Sequence, residues 1–138
     1  MDQTAATKKN ILLAEDDEDD FLLFRDAIID SENIPDLKWV RDGEELMRAL
    51  KEDGATMPDV LFLDINMPRK NGFECLTEIR KDKNLSHLPV IIFSTSNNPA
   101  DKKRAEDLGA LKFITKTGDI QLLKRDLNRI FNSDSLTN

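Results

Sequence analysis

Short apolar runs alternate with longer segments of helical periodicity along most of the chain. The runs predicted to be strands lie at 11–14, 60–63, 90–93 and 111–114, with a weaker one at 38–40. Each run is followed by a segment whose apolar residues recur on one helix face, as Leu123, Leu127 and Ile130 do in the last segment. The pattern therefore predicts a strand followed by a helix, repeated five times.

This alternation also predicts how the elements are arranged. Strands that are apolar on both faces, each followed by a helix, are typical of a parallel sheet covered on both sides. Right-handed crossovers leave few topologies, and we expect an α/β, flavodoxin-like (βα)5 fold, a doubly wound parallel sheet of order 2-1-3-4-5. The pattern predicts a single domain over residues 10–131, with short polar tails at 1–9 and 132–138.

Composition narrows the class of protein. The chain has 138 residues, a net charge of −7 and a single cysteine, Cys75. The length suits one domain, and one cysteine excludes a disulfide framework and a multi-cysteine zinc site. The acidic balance argues against a nucleic-acid-binding surface. The apolar runs are too short to cross a membrane and the first residues are polar, so we expect a cytoplasmic protein without a membrane partner.

Residues able to bind metal or phosphate follow four of the five predicted strands. They are Glu15 and Asp16 after the first, Asp64 after the third, Ser94 and Thr95 after the fourth, and Lys116 after the fifth. The carboxyl ends of parallel strands meet at one edge of the sheet, so the three carboxylates are expected to converge. Clustered carboxylates need a cation, and oxygen ligands favour Mg²⁺. A metal ion, a hydroxyl and an ammonium together can stabilise a transferring phosphoryl group, and a carboxylate can accept one.

In this order and at these strand ends, the motifs resemble the response-regulator receiver domain of two-component signalling. The resemblance runs from about Asn10 to Phe131, and it includes the segment from Asp64 to Pro68 and the pair Asn71-Gly72. The long region before the third strand and the Ser-Thr-Ser-Asn run after the fourth resemble stand-alone receivers associated with phytochrome-like kinases.

The resemblance implies a role for each acidic residue. Asp64 is the expected phosphoacceptor and also faces the metal. Asp16 is the expected direct Mg²⁺ ligand, Glu15 acts through water, and Asn66 offers its backbone carbonyl. The other acids of the first helix, Asp19 and Asp20, are interpreted as a solvated helix start.

The resemblance also implies roles for the later strand ends. Ser94 and Lys116 are expected to bind phosphoryl oxygens, and Phe113 to be the aromatic residue that turns inward when Ser94 moves. Three positions depart from the family pattern, of which Asn71 replaces an aspartate before Gly72 and keeps an equally good turn. Thr95 replaces a smaller residue and is expected to narrow access to the acyl phosphate. Thr117 replaces a proline that follows a cis bond, so either that strained bond is kept or Lys116 approaches differently.

The implied function is that of a signalling phosphoacceptor rather than an enzyme, although it assists its own phosphorylation and dephosphorylation. A histidine kinase or a histidine phosphotransfer protein is the expected donor to Asp64. The outcome is a phosphorylation-dependent interaction switch or a phosphorelay intermediate, with a downstream protein or a second copy binding on the surface of the fourth helix, fifth strand and fifth helix.

Other interpretations of the same residues are weaker. A degenerate receiver that binds a partner constitutively is the main alternative. A haloacid-dehalogenase-type phosphatase needs a second aspartate where Asn66 stands. A calcium loop needs glycine where Phe21 stands.

Overall fold

The computed structural model describes residues 9–29 and 35–132, which form the predicted alternation of strands and helices. The strands are β1 (Asn10–Ala14), β2 (Asp36–Val40), β3 (Val60–Leu63), β4 (Val90–Ser94) and β5 (Lys112–Thr115). The helices are α1 (Glu18–Ile29), α2 (Gly43–Lys51), α3 (Gly72–Lys81), α4 (Pro99–Asp107) and α5 (Ile120–Phe131). Residues 1–8 and 133–138 of the two predicted tails lie outside the described residues.

The strands form one parallel sheet in the order β2-β1-β3-β4-β5, which confirms the predicted flavodoxin-like fold. The register pairs Ala14 of β1 with Leu63 of β3. Glu15 and Asp64, the next residues of each strand, therefore leave the sheet at the same level. The topology alone brings these two carboxylates together at the carboxyl edge of the sheet.

β1 and β4 are each one residue longer than predicted, with Asn10 at the start of β1 and Ser94 at the end of β4, and the limits of the two edge strands also differ. β2 begins two residues earlier than predicted, because Asp36 pairs with Asn10 of β1. β5 begins at Lys112, and Leu111 before it is 43% exposed. Edge strands face solvent along part of their length and carry polar residues there. A search for apolar runs therefore misplaces the ends of these strands.

The apolar core has two layers, one on each face of the sheet. Alternate strand residues pack against α1 and α5 on one face and against α2, α3 and Ala105 of α4 on the other. At the centre of the first layer, the ring of Phe24 in α1 lies 4.9 Å from that of Phe62 and 5.6 Å from that of Phe93. Each such buried ring contributes about 1.5–3 kcal/mol by leaving water. This packing fixes α1 over the sheet.

No helix within 9–29 or 35–132 is long and apolar enough to cross a membrane.

Candidate functional site

Three carboxylates meet where β1 and β3 end. One carboxylate oxygen from each of Glu15, Asp16 and Asp64 lies within 4.8 Å of the others. Glu15 and Asp64 are buried, whereas Asp16 is exposed. Two of the three carboxylates are therefore enclosed, and the cluster is open to solvent on the side of Asp16.

The Lys116 ammonium lies beside the buried carboxylates of this cluster. Its Nζ atom is 2.5 Å from Oε1 of Glu15, 3.0 Å from Oδ2 of Asp20 and 3.3 Å from Oδ2 of Asp64. The lysine side chain is only 7% exposed, and its Nζ atom lies 5.1 Å from the centre of the Phe93 ring. An ammonium has three N–H donors, and three carboxylates surround this one.

The charges of the site perturb one another. Burial raises the pKa of Glu15 to about 8, although the Lys116 ammonium acts in the opposite direction. Burial also raises the pKa of Asp64, again against the effect of Lys116. Burial by itself lowers the pKa of Lys116, but the contacts with Glu15, Asp64 and Asp20 outweigh it, so this pKa is raised. The single positive charge of Lys116 therefore does not balance the carboxylates around it.

The residues present fit a hard divalent cation. All the donors are oxygens, and hard cations such as Mg²⁺ prefer oxygen ligands. The Oε1 atom of Glu15 is buried without a well-formed hydrogen bond, and its close partner is the Lys116 charge. A buried carboxylate oxygen that lacks a hydrogen bond is stabilised by additional positive charge.

The loop between β3 and α3 holds Asp64 in place. The Asn66 N–H donates to Oδ1 of Asp64 at 3.2 Å. A Cβ atom on Gly72 would lie 2.4 Å from the Asp64 carbonyl oxygen, so only glycine allows α3 to begin this close to the strand end. Asn71 caps α3 and forms a capping box with Glu74, which fixes where the helix starts.

Ser94 is the last residue of the neighbouring strand, β4, and Thr95 follows it. Ser94 is buried at the end of β4, and its Oγ accepts a hydrogen bond from the Ser96 N–H at 3.2 Å. Thr95 is exposed. Phe113 in β5 is half-buried against the α2–α4 layer, and Lys102 Nζ lies 5.8 Å from its ring centre.

The residue after Lys116 has an ordinary backbone. The described residues contain no cis peptide bond, so the Lys116–Thr117 bond is trans. Thr117 is exposed, its Oγ1 accepts from the Asp119 N–H at 3.2 Å, and the chain turns at Gly118, where φ is +80°. Of the two alternatives that the sequence left open, the structure has the one without the strained bond.

Asp20 is a member of the site that the sequence interpretation placed in solvent. The contact with Lys116 corrects that interpretation, because the side chain of Asp20 is only 30% exposed. A signal was present in the sequence: Asp20 precedes the buried residues Phe24 and Ala27 by four and seven positions, which is the spacing of one helix face. Asp19 is exposed, as predicted.

A further contact reaches the site from β2. The indole N–H of Trp39 donates to the backbone oxygen of Glu15 at 2.7 Å. The ring stacks on Phe21 with the ring centres 3.9 Å apart.

Comparison with known proteins supplies the family. The response regulator receiver domain matches residues 11–128. The response regulator Rcp1 of Synechocystis sp. is 30% identical over 125 residues, which cover 88% of this chain and 85% of Rcp1. Protein PilH of Pseudomonas aeruginosa is 36% identical over 89 residues, or 64% of this chain and 69% of PilH.

Solved structures agree with this assignment. The phosphorylated cyanobacterial phytochrome response regulator RcpA has a TM-score of 0.84 and 33% identity, covering 94% of this chain and 97% of RcpA. The Mn²⁺-bound form of Rcp1 has a TM-score of 0.80 and 31% identity, covering 88% and 91%. The match over residues 11–128 and the fold shared with these structures confirm the resemblance: this chain belongs to the family of response regulator receiver domains of two-component signalling.

Proposed function

We propose that this receiver accepts a phosphoryl group on Asp64 from a phosphohistidine of a histidine kinase or a histidine phosphotransfer protein. The observation that carries the proposal is the buried Lys116 ammonium, 3.3 Å from the Asp64 carboxylate and beside a cluster of three carboxylates. This arrangement places a positive charge next to the position that the oxygens of the transferred phosphoryl group would occupy.

In the proposed reaction, a carboxylate oxygen of Asp64 attacks the phosphorus atom, the P–N bond of the donor breaks, and the leaving imidazole takes up a proton. The product is an acyl phosphate on Asp64. Lys116 and the Ser94 hydroxyl donate to the phosphoryl oxygens. Catalysis of this kind comes mainly from positioning and electrostatic stabilisation.

Glu15, Asp16, Asp64 and the backbone carbonyl of Asn66 are the proposed ligands of a Mg²⁺ ion. When bound, the ion neutralises the charge that collects on the carboxylates and the phosphoryl group. The three carboxylate oxygens that converge here and the Mn²⁺ bound in the Rcp1 structure support a divalent cation.

Phosphorylation is proposed to alter a surface for another protein. The backbone of Ser94 is linked to the end of β5, because the Lys116 N–H donates to the Ser94 carbonyl oxygen at 2.7 Å. A movement of Ser94 and Phe113 thus reaches α4, β5 and α5, where we expect a downstream protein or a second copy to bind. The similarity to RcpA and Rcp1 supports a phytochrome-like kinase as the donor.

The first test is intact-mass spectrometry after incubation with acetyl phosphate and Mg²⁺. We expect the wild type and Asp53→Asn, which changes an exposed turn residue, to gain one phosphoryl group. Asp64→Asn, which makes the same change of charge, is expected to gain none. The gain should disappear when EDTA replaces Mg²⁺.

A gain from a phosphorylated histidine kinase alone also supports the proposal, and indicates that Thr95 keeps small donors out. If the folded, metal-binding protein gains no phosphoryl group from either donor, the proposal is wrong. The chain is then better described as a receiver that binds its partner constitutively.

A further inference from the structure

Lys116 is held by carboxylates from three parts of the fold. Glu15 follows β1, Asp64 follows β3, and Asp20 lies in the first turn of α1. Asp20 and Asp64 both accept hydrogen bonds from the ammonium, at 3.0 and 3.3 Å. Glu15 forms the closest charge contact, at 2.5 Å.

Two of these carboxylates have other partners in the proposed reaction. Glu15 and Asp64 belong to the cluster that suits a metal ion, together with Asp16. Asp64 also loses its negative charge when it becomes an acyl phosphate. Asp20 is not part of the metal-binding cluster. Of the three carboxylates, Asp20 is therefore the one without another partner in the proposed reaction.

The position of Asp20 is fixed by the start of α1. The Asp20 N–H donates to Oδ1 of Asp17 at 3.1 Å, which caps the helix. One turn further on, Phe24 is fully buried in the aromatic centre of the core. A rigid helix end thus presents the Asp20 carboxylate to Lys116, and little conformational freedom is left to lose on phosphorylation.

We infer that Asp20 is a positioning residue that holds the Lys116 ammonium beside Asp64 while the metal ion and the phosphoryl group occupy Glu15 and Asp64. The inference rests on the proposed function, since it concerns the same phosphoryl transfer. Hydrogen-bond partners that orient metal ligands typically contribute about 10- to 100-fold to metal affinity or activity. We expect an effect at the lower end of this range for Asp20, which orients an ammonium beside the metal-binding cluster.

The test compares Asp20→Asn with Asp19→Asn, a matched control that removes the same charge from an exposed neighbour in the same helical turn. The rate of phosphorylation by acetyl phosphate is measured at saturating Mg²⁺ by intact-mass spectrometry, and Mg²⁺ affinity by calorimetry. We expect Asp20→Asn to be about 10-fold slower than Asp19→Asn. We also expect the Mg²⁺ Kd of the two variants to agree within about 2-fold, because neither residue is a ligand.

Equal phosphorylation rates in the two variants would overturn the inference. So would a Mg²⁺ Kd at least about 10-fold weaker in Asp20→Asn, with the rate restored by more Mg²⁺, because Asp20 would then act on the metal. Asp20→Glu keeps the charge and should recover part of the rate.

A second readout does not depend on phosphorylation. In the Mg²⁺-loaded protein, the ¹⁵N-labelled Lys116 ammonium should exchange slowly with water in the wild type and Asp19→Asn, and fast in Asp20→Asn. Equal exchange in all three overturns the positioning role. A wild type that takes no phosphoryl group but shows the expected exchange difference refutes the proposed function and leaves the role of Asp20 in holding Lys116 intact.

Discussion

Glu15 directly follows β1, the first strand of the chain, and its carboxyl side chain has no exposed surface. Lys116 is the one cation close to it within the described residues, and this ammonium also contacts Asp20 and Asp64. Burial consequently dominates and raises the pKa of Glu15 to about 8 from the ordinary 4.5. Without a metal ion, the site favours a protonated Glu15 near neutral pH.

This shift predicts the pH dependence of stability in the metal-free protein. The folded state holds a proton that the unfolded state releases, so the stabilisation is complete below pH 4.5 and is lost as the pH rises through about 8. In EDTA, the free energy of unfolding of the wild type should therefore fall between pH 5 and 8 relative to that of Glu15→Gln. The slope for one proton is at most about 1.4 kcal/mol per pH unit.

Urea denaturation at several pH values measures this difference. Titrating groups outside the site cancel between the wild type and Glu15→Gln, since the variant removes one carboxyl group and keeps its shape. Parallel pH profiles for the two proteins would contradict the prediction.

Single residues also show what sequence reasoning can find. Glu15, Asp64, Ser94 and Lys116 were predictable because each lies at or directly after the carboxyl end of a strand, and these ends converge in any parallel sheet. The contact of Asp20 with Lys116 depends on how α1 is rotated over the sheet. Consecutive acids do not reveal that rotation, although the spacing to Phe24 does.

Among the connecting elements, the loop between β3 and α3 carries backbone strain beside the site. Arg69 has a φ of +69°, in the left-handed region that favours glycine. Its guanidinium contacts Asp42 at 3.4 Å and Glu44 at 3.9 Å, but the arginine side chain is 66% exposed. Exposed ion pairs of this kind contribute at most about 1 kcal/mol.

Arg69→Gly should be more stable than Arg69→Ala by about 1 kcal/mol, because alanine keeps the left-handed strain and glycine removes it. Both variants lose the same ion pairs, so their difference isolates the backbone. Denaturant unfolding at neutral pH provides the comparison. An alanine variant as stable as the glycine variant would mean that the loop relaxes around residue 69.

At the level of elements, the periodicity was sufficient for the central strands and insufficient at the edges. β3 was predicted with its observed limits, since both of its faces are buried and all four residues are apolar. β2 was predicted too short, because Asp36 is exposed and Leu37 is only half-buried along the edge of the sheet. Residues that pair only through their backbones leave no apolar signal.

On the scale of the whole molecule, the two-layered core and the charged site have opposite effects. The layers on either face of the sheet stabilise the fold. The carboxylates gathered at one edge work against it, since like charges held close together repel. A bound cation relieves that repulsion, so metal binding and folding are coupled.

Mg²⁺ should therefore raise the free energy of unfolding, by about 2.7 kcal/mol at 100 times its Kd. Asp16→Asn should lose most of this gain, because its carboxylate belongs to the cluster. In EDTA it should be at least as stable as the wild type, since the loss of one charge reduces the repulsion. Asp53→Asn is the control and should respond to Mg²⁺ as the wild type does. Thermal or urea unfolding with and without Mg²⁺ checks both statements, and an equal response of Asp16→Asn would exclude that residue as a ligand.

The hydrogen bond from Trp39 to the Glu15 backbone has a practical consequence. The chain contains one tryptophan and no tyrosine, so its near-ultraviolet emission comes almost entirely from that indole. The indole N–H is bonded to the residue whose side chain contacts Lys116. The intrinsic fluorescence should therefore respond to changes at Glu15, so the proposed ion and phosphoryl binding can be followed in real time in the unmodified protein without a dye.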